Sequence, residues 1–355
     1  DYMWVLEDDL AARTIEDRTK LVRNRFGAEG EKELSIETEV LRLLEDSNGD
    51  GVADKSYVYA DGFNHSLDGI ASGVLARRGK VWFTNIPSVW QFTGHTKAET
   101  RTEISRGYGV RFNFTGHDLH GLIWGPDGKL YFSNGDRGAT VKTKEGTTIE
   151  VADQGAVFRC NPDGSQMELF AWGLRNPQSL VFNEFGDLIT GDNDCDNGDE
   201  ERLVHVVDGS DSGWRIGYQF APLERAGPWN TERLWHQRHE GQPAYIVPPI
   251  ANIEDGPSGI EYYPGTGLNP SYRGHIFITH FKGAIARSGI YSYQVKPKGA
   301  SYEIADAKPF LSSALPTDVK FGPDGRLYIS DWADGWPKSK RGRIYAISDP
   351  KHAQD

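Results

Sequence analysis

HGLIWGPDGKLYFSN (120–134) decides how this chain is read. Apolar residues alternate on both sides of a Gly-Pro-Asp-Gly turn, the pattern of two short antiparallel strands joined by a hairpin. The second half of that pattern is a turn, then alternating apolar residues closing on a small residue and a polar one. It recurs as DYMWVLED (1–8), GKVWFTN (79–85), GKLYFSN (128–134), GDLITGD (186–192), GHIFITH (274–280) and GRLYISD (325–331). A strand precedes most copies: DGIASGV (68–74), HGLIWGP (120–126), QSLVFNE (178–184), SGIEYYP (258–264) and TDVKFGP (317–323). A third follows in AVFRCNPDG (156–164), SGIYSYQV (288–295) and RGRIYAIS (341–348), and a fourth in SQMELFAWG (165–173) and SYEIADAK (301–308). Four antiparallel strands in each of six copies predict an all-β, six-bladed β-propeller. All of 1–355 then forms a single domain. The first blade reads as truncated at its N-terminus, with DYMWVLED as a strand. Residues 219–257 are too long for a blade turn and read as an insertion loop.

Composition agrees with turns and strand faces. The 355 residues include 41 glycines and 41 aromatic residues but only 2 methionines, which suits sheets better than a helical bundle. A 37% hydrophobic content supports a packed core and excludes wholesale disorder. The net charge of −12 argues against nucleic acid or an anionic membrane as partner and favours a cation as ligand. No apolar stretch is long enough to span a bilayer. Cys160 and Cys195 form no CxxC motif, which leaves one disulfide or two free thiols.

Loops leading into the inner strands of a propeller gather around one opening. Counting eight residues back from the residue before each turn gives His65, His117, Arg175, Asp255 and Ala314. Counting five back gives Asp68, His120, Gln178, Ser258 and Thr317. Imidazole, guanidinium and carboxylate in equivalent places predict a functional site. The loop DNDCDNGDEE (192–201) packs five acids into residues 194–201, so it is either solvated or bound to Ca²⁺, with Asn193, Asp194 and Asp199 as candidate ligands. Lys282, after the equivalent strand of another blade, points to the same end. DSNGDGVAD (46–54) places Asp46, Asn48, Asp50 and Asp54 at alternating oxygen-ligand spacing around Gly51, which predicts a structural calcium loop.

GHDLHGLIWGPDGKLYFSNGD (116–136), GLRNPQSLVFNEFGDLITGD (173–192), FITHFKG (277–283) and SGWRIGY (212–218) resemble the soluble glucose/sorbosone dehydrogenases. That family consists of six-bladed propellers that bind pyrroloquinoline quinone (PQQ) and calcium. The subtype is similar to the large exported dehydrogenase-like proteins of planctomycetes, often fused to cytochrome c. The resemblance implies His117 as catalytic base and Arg175 with Asn176 on the quinone and its oxyanion. It also implies Lys282 on a cofactor carboxylate and the Asn193–Asp194 loop on the active-site calcium. The departures are Gly116 where the sugar oxidases have Asp, Thr317 where a second cofactor-gripping Arg is expected, and Asn-Asp in place of Gly-Pro in the calcium loop.

The resemblance thus implies an exported, periplasmic or extracellular, PQQ- and calcium-dependent dehydrogenase acting on a sugar or polyol, with a cytochrome c acceptor. Two other classes stand beside it. A lactonase-like metal-dependent hydrolase, or a lyase, would use His65, Asp68, His117, His120 and Asp255 around an axial metal. A non-catalytic glycan- or protein-binding propeller would present Trp82, Trp90, Trp124, Trp214, Trp229, Trp235, Trp332 or Trp336 at its mouth.

Overall fold

The computed structural model describes residues 3–113, 115–196, 199–220, 232–233, 238–240, 242, 246–335 and 341–352. Two compact units are present, one comprising residues 1–124 and 128–169, the other 125–127 and 170–355.

The first unit opens with helices, not a strand. Residues 3–5 form a 3₁₀ turn, followed by α1 (Leu6–Ala11) and α2 (Ile15–Glu33). The alternation in DYMWVLED is real, but Thr14 and Asp17 build a reciprocal capping box that starts α2, and Glu7, Asp8 and Asp9 favour the first turn of α1. A two-stranded sheet of β1 (Glu39–Glu45) and β2 (Lys55–Phe63) follows. Next comes a four-stranded antiparallel blade of β3 (Ala71–Arg77), β4 (Lys80–Asn85), β5 (Ser88–Thr93) and β6 (Thr100–Arg106). The inner strands of the next blade are β7 (Leu119–Trp124) and β8 (Leu130–Asn134). The small hairpin β9 (Ala139–Lys142) and β10 (Thr148–Val151) then precedes β11 (Gly155–Cys160), which pairs with β8. β3 lies against β7. Phe63, Phe83 and Phe92 form the core beneath β1 and β2.

The chain passes into the second unit within β12 (Glu168–Leu174). One antiparallel blade there comprises β13 (Pro177–Phe182), β14 (Leu188–Asp192), β15 (Glu201–Val206) and, after the short β16 (Ser210–Asp211), β17 (Ala251–Ile253). The next blade holds β18 (Pro257–Tyr262), β19 (His275–His280), β20 (Gly289–Lys298) and β21 (Ser301–Ser312). The last has three strands, β22 (Pro316–Phe321), β23 (Leu327–Asp331) and β24 (Arg343–Ile347). These sheets are the blades of a β-propeller. Five of the six repeat copies stand as second strands, and the end of the 219–257 insertion is not loop but β17, the outer strand of its blade. Most of that insertion lies outside the described residues. β14 and β19 are buried along their whole length because neighbouring sheets cover both faces. Val181, Ile189, Ile260 and Ile278 fill the space between two blades, and Phe277, Val319 and Ile329 the next.

The polar closure of the repeat has a structural reason. Each inner strand of these five sheets carries a register shift near its start, at Ala71/Gly73, His120/Ile123, Pro177/Leu180, Pro257/Ile260 and Pro316/Asp318. Hydroxyls of the second strand satisfy the displaced backbone. Thr190 donates to Ser179 O at 2.7 Å, and Thr279 Oγ1 accepts from Gly259 N at 2.6 Å. The final polar residue then ties the loop leading into the inner strand. Asn85 donates to Gly69 O (2.7 Å), His280 Nδ1 to Asp255 O (3.0 Å), and Asp331 accepts from Leu315 N (2.7 Å). Asp192 accepts from Arg175 N (3.0 Å) and Asn176 N (2.8 Å) and pairs with the buried Arg202.

Asp192→Ala leaves the Arg202 guanidinium buried without its carboxylate, so urea unfolding should register a loss of about 3–5 kcal/mol. Thr279→Val, which deletes only the hydroxyl, should cost about 1–3 kcal/mol. Wild-type stability in Asp192→Ala would refute this role for the closing residue.

Candidate functional site

In the second unit, Asp192 at the end of β14 sets Arg175 and Asn176 side by side at the start of β13. Arg175 is 6% exposed, donates from Nε to Gln219 Oε1 at 3.0 Å and lies 5.7 Å from the Trp214 ring centroid. Asn176 donates from Nδ2 to Asn193 Oδ1 at 3.1 Å, while its Oδ1 is buried with no hydrogen-bond partner among the described residues. A buried acceptor left unpaired costs about 1–3 kcal/mol, which a donor or cation from a ligand would recover.

The acidic loop adjoins this pair. Gln219 Nε2 donates to Cys195 O at 3.2 Å, tying the Arg175 partner to the loop. Asp199 accepts from Cys195 N (3.0 Å) and its thiol (3.0 Å), and Glu201 accepts from Gly256 N (2.9 Å) and from Asp194 N. Burial, followed by repulsion from Asp194, pushes the Glu201 carboxyl up to about 8. Burial and the neighbouring Asp199 and Asp196 push Asp194 up to about 6. The loop therefore concentrates carboxylates that water does not fully solvate, with the Arg175 guanidinium partly offsetting the charge at Asp194. Among the described residues, no three His, Cys, Asp or Glu side chains converge as ready-made metal ligands. An open cleft of about 650 Å³ runs past Asp199, Glu201, Glu254, Asp255 and Tyr293.

Lys282 is held by Glu254 at 2.6 Å, and that salt bridge keeps the Glu254 carboxyl below its ordinary range. Thr317 is exposed on β22 and shares a 2.8 Å hydrogen bond with Ser330. Asp255 is exposed, and its carbonyl serves His280. Tyr293 donates to His280 Nε2 at 3.0 Å, so both ring nitrogens are satisfied in the neutral form, and burial depresses His280 to about 4. Gln178 is half-buried in β13.

In the first unit, His117 Nδ1 stands 2.7 Å from Asp136 Oδ1, and Asp136 is completely buried. A carboxylate can only accept, so Nδ1 carries the proton and Nε2 keeps its lone pair. Gly135 makes the contact possible, because a Cβ there would lie 2.7 Å from His117 O. Asp118, also fully buried, accepts from Gly116 N (3.2 Å) and pairs with Arg137 (2.5 Å), fixing the backbone on either side of His117. His120 meets Ser72 Oγ at 2.5 Å and Gly116 O at 3.0 Å. His65 sits in an exposed turn whose backbone amide donates to Asp68 at 2.8 Å.

The strand ladder sorts the counted positions. Leu119, Pro177, Pro257 and Pro316 pair with the closing residues of their second strands, as Ala71 pairs with Asn85. The equivalent of His117, Arg175, Asp255 and Ala314 is therefore Gly69, not His65, and the equivalent of His120 is Ser72, not Asp68. The count slipped because it started from Gly73, which lies inside β3; the strand runs on to Arg77 before the Arg78-Gly79 turn, and eight back from Arg77 is Gly69. Asp136, Asp118 and Arg137 were not among the sequence candidates. Gly135-Asp136, directly after the 128–134 copy, is the signal that marks Asp136.

In the 46–54 loop the polar side chains serve its own backbone. Asp46 accepts from Gly49 N and Gly51 N at 2.7 Å, Asn48 from Asp50 N at 2.9 Å, and Asp54 from Ser47 N at 3.0 Å. Cys160 and Cys195 are both buried thiols and form no disulfide. Trp82 and Trp214 are buried, Trp90 and Trp124 are half-buried, and Trp332 is 36% exposed. Trp229, Trp235 and Trp336 lie outside the described residues. No helix among the described residues is long and apolar enough to cross a membrane.

These blades and loops define a β-propeller, and the chain belongs to the family described as a domain of unknown function (DUF7133), which matches residues 24–335. No curated protein sequence matches it. Several solved structures share the fold. An oxidoreductase of Thermus thermophilus described as a glucose dehydrogenase is 16% identical, with 86% of this chain and 90% of that one covered and a TM-score of 0.61. The holo form of the pyranose dehydrogenase PQQ domain from Coprinopsis cinerea is 13% identical, over 88% and 87% of the two chains, with a TM-score of 0.51. The calcium structure of a Trichoderma reesei carbohydrate-active enzyme of family AA12 is 14% identical, over 87% of each chain, with a TM-score of 0.52.

His280 yields a test by pH. Its folded value lies below that of an unfolded imidazole, near 6.5, so its contribution is intact above that pH and is lost as pH falls towards 4. The wild type should lose more stability between pH 7 and pH 5 than His280→Gln, measured by urea midpoints. Equal losses in both proteins would rule His280 out as the source.

Proposed function

We propose that this chain is a calcium- and PQQ-dependent dehydrogenase that oxidises a hydroxyl of a sugar or polyol. The observation that carries the reading is the His117–Asp136 pair, a buried carboxylate orienting an imidazole so that Nε2 carries the basic lone pair. Such a base removes the hydroxyl proton of the substrate, and Asp136 holds the tautomer and stabilises the imidazolium that forms. PQQ, when bound, supplies the two-electron acceptor for the hydride that leaves the same carbon.

The residues present fit these groups. The unpaired Asn176 Oδ1 and the buried Arg175 offer an acceptor and a cation side by side, and a guanidinium there stabilises developing negative charge. Asp194 and Glu201, held protonation-prone by burial and by neighbouring carboxylates, favour a hard divalent cation beside them. Lys282 is the further cation for a cofactor carboxylate, in competition with Glu254, and Thr317 adds none. Export to the periplasm or outside the cell, and a cytochrome c acceptor, belong to this reading through the family resemblance. No observation favours the axial metal hydrolase, since His120 and His65 turn to neighbouring backbone and hydroxyl groups.

Calcium-loaded protein titrated with PQQ should reduce a redox dye when given an aldose or polyol. His117→Ala should lower kcat by about 10²–10⁴, and Asp136→Asn should fall in the same direction with PQQ binding retained. Neither cofactor absorbance nor dye reduction with any sugar would end this reading.

Protons compete with calcium at Glu201, so the thermal shift produced by calcium should be larger at pH 8.5 than at pH 6.5. The shift should shrink in Asp194→Asn, as followed by calorimetry. A calcium response independent of pH and of Asp194 would place the ion elsewhere.

A further inference from the structure

The N-terminal helices contribute more than cover to the first unit. Asp9 of α1, with no exposed surface, accepts from Phe112 N at 2.6 Å and Asn113 N at 3.1 Å, in the segment that runs into Gly116, His117 and Asp118. Arg111, equally buried, donates to Leu10 O at 3.3 Å, and Thr140 Oγ1 donates to Arg13 O at 2.5 Å. Phe26 of α2 packs against Phe112 with ring centroids 4.9 Å apart. Arg18 of α2 is 3% exposed and donates from Nη2 to Leu67 O, in the turn that carries His65 and Asp68.

Burial and the like charge of Arg137 push the Arg18 guanidinium down to about 9, and its Nε is buried with no hydrogen-bond partner among the described residues. The Arg18 guanidinium lies in the field of Asp118, Asp68 and Asp9, opposed by Arg137. Asp118 is the carboxylate that fixes Gly116 N, the backbone immediately before His117. Glycines let the loops close on this cluster. A Cβ at Gly109, where φ is +68°, would lie 3.4 Å from Arg18 Nη1, and one at Gly69 would lie 3.3 Å from Asp118 Oδ1. A buried guanidinium is costly unless it is hydrogen-bonded and balanced by opposite charge, so its place beside two site acids is a specific arrangement, not generic packing.

We propose that the N-terminal arm α1–α2 is a positioning element of the His117 site, and that Arg18 is the residue through which it acts. Arg18 holds the His65–Asp68 turn through Leu67 O and acts on the Asp118 carboxylate through its charge, Asp9 fixes Phe112–Asn113, and together they hold the loop that presents His117 to Asp136. The role of His117 as proton acceptor rests on the function proposed above; the docking of the arm does not.

The test reads the Nδ1–H resonance of His117 in protein carrying ¹⁵N-histidine, assigned by its absence in His117→Gln. Arg18→Met should make that proton exchange with water at least tenfold faster while the protein remains folded, and Arg18→Lys should restore protection. Wild-type exchange in folded Arg18→Met would overturn the proposal and leave Arg18 a structural anchor. Should Arg18→Met fail to fold, the same proton is followed in Asp9→Asn, where unaltered exchange overturns the proposal equally. The signal needs neither cofactor nor substrate, so its outcome is separate from that of the dye-reduction test.

Discussion

The hydrogen bond between the closing polar residue of four second strands and the loop leading into the inner strand governs much of the rest of the structure. A bulge at the start of an inner strand frees backbone groups that water cannot reach, and an unmade bond there costs more than a made one returns. Thr190 and Thr279 meet that need from the neighbouring strand, and Asn85, Asp192, His280 and Asp331 extend it into the loop. Loops that would otherwise be mobile become rigid supports. Arg175 and Asn176 owe their place to Asp192, a residue that touches no ligand.

The same economy of polar groups divides the acids of this −12 chain into three kinds. Asp9, Asp118, Asp136 and Asp192 are fully buried and engaged with backbone amides, guanidinium or imidazole. The 46–54 acids turn inward on their own loop. Asp194 and Glu201 are raised above the ordinary carboxylate range by burial and neighbouring carboxylates, and burial also raises Glu39, Asp68, Glu261 and Asp318. Burial of like charges in this loop, next to the unpaired Asn176 Oδ1, sets it apart from a solvated acidic surface.

How much was legible in the sequence follows from the physics of each element. Period-2 alternation behind Gly-containing turns reports a strand wherever sheets cover it, so β4, β8, β14, β19 and β23 were readable. DYMWVLED has the same alternation, yet residues 3–8 are helical, because the acids in the first turn of α1 suit a helix N-terminus and Asp9 docks on a loop far away in sequence. His117 and Arg175 were reached by counting because their blades share one turn length. His65 was reached in error because Gly73, the starting point in its blade, lies inside β3 and not at the turn.

The sequence alone determined the repeat, the sheets it forms, and the residue types that close each second strand, since these depend on neighbours within a few positions. Tertiary structure alone decided which polar groups meet. Asp136 reaches His117 across 19 residues, Gln219 reaches Arg175 across 44, and Asp9 reaches Phe112 across 103. A hydrogen bond requires a separation near 3 Å, which spacing along the chain cannot specify when the partners lie on different strands and loops.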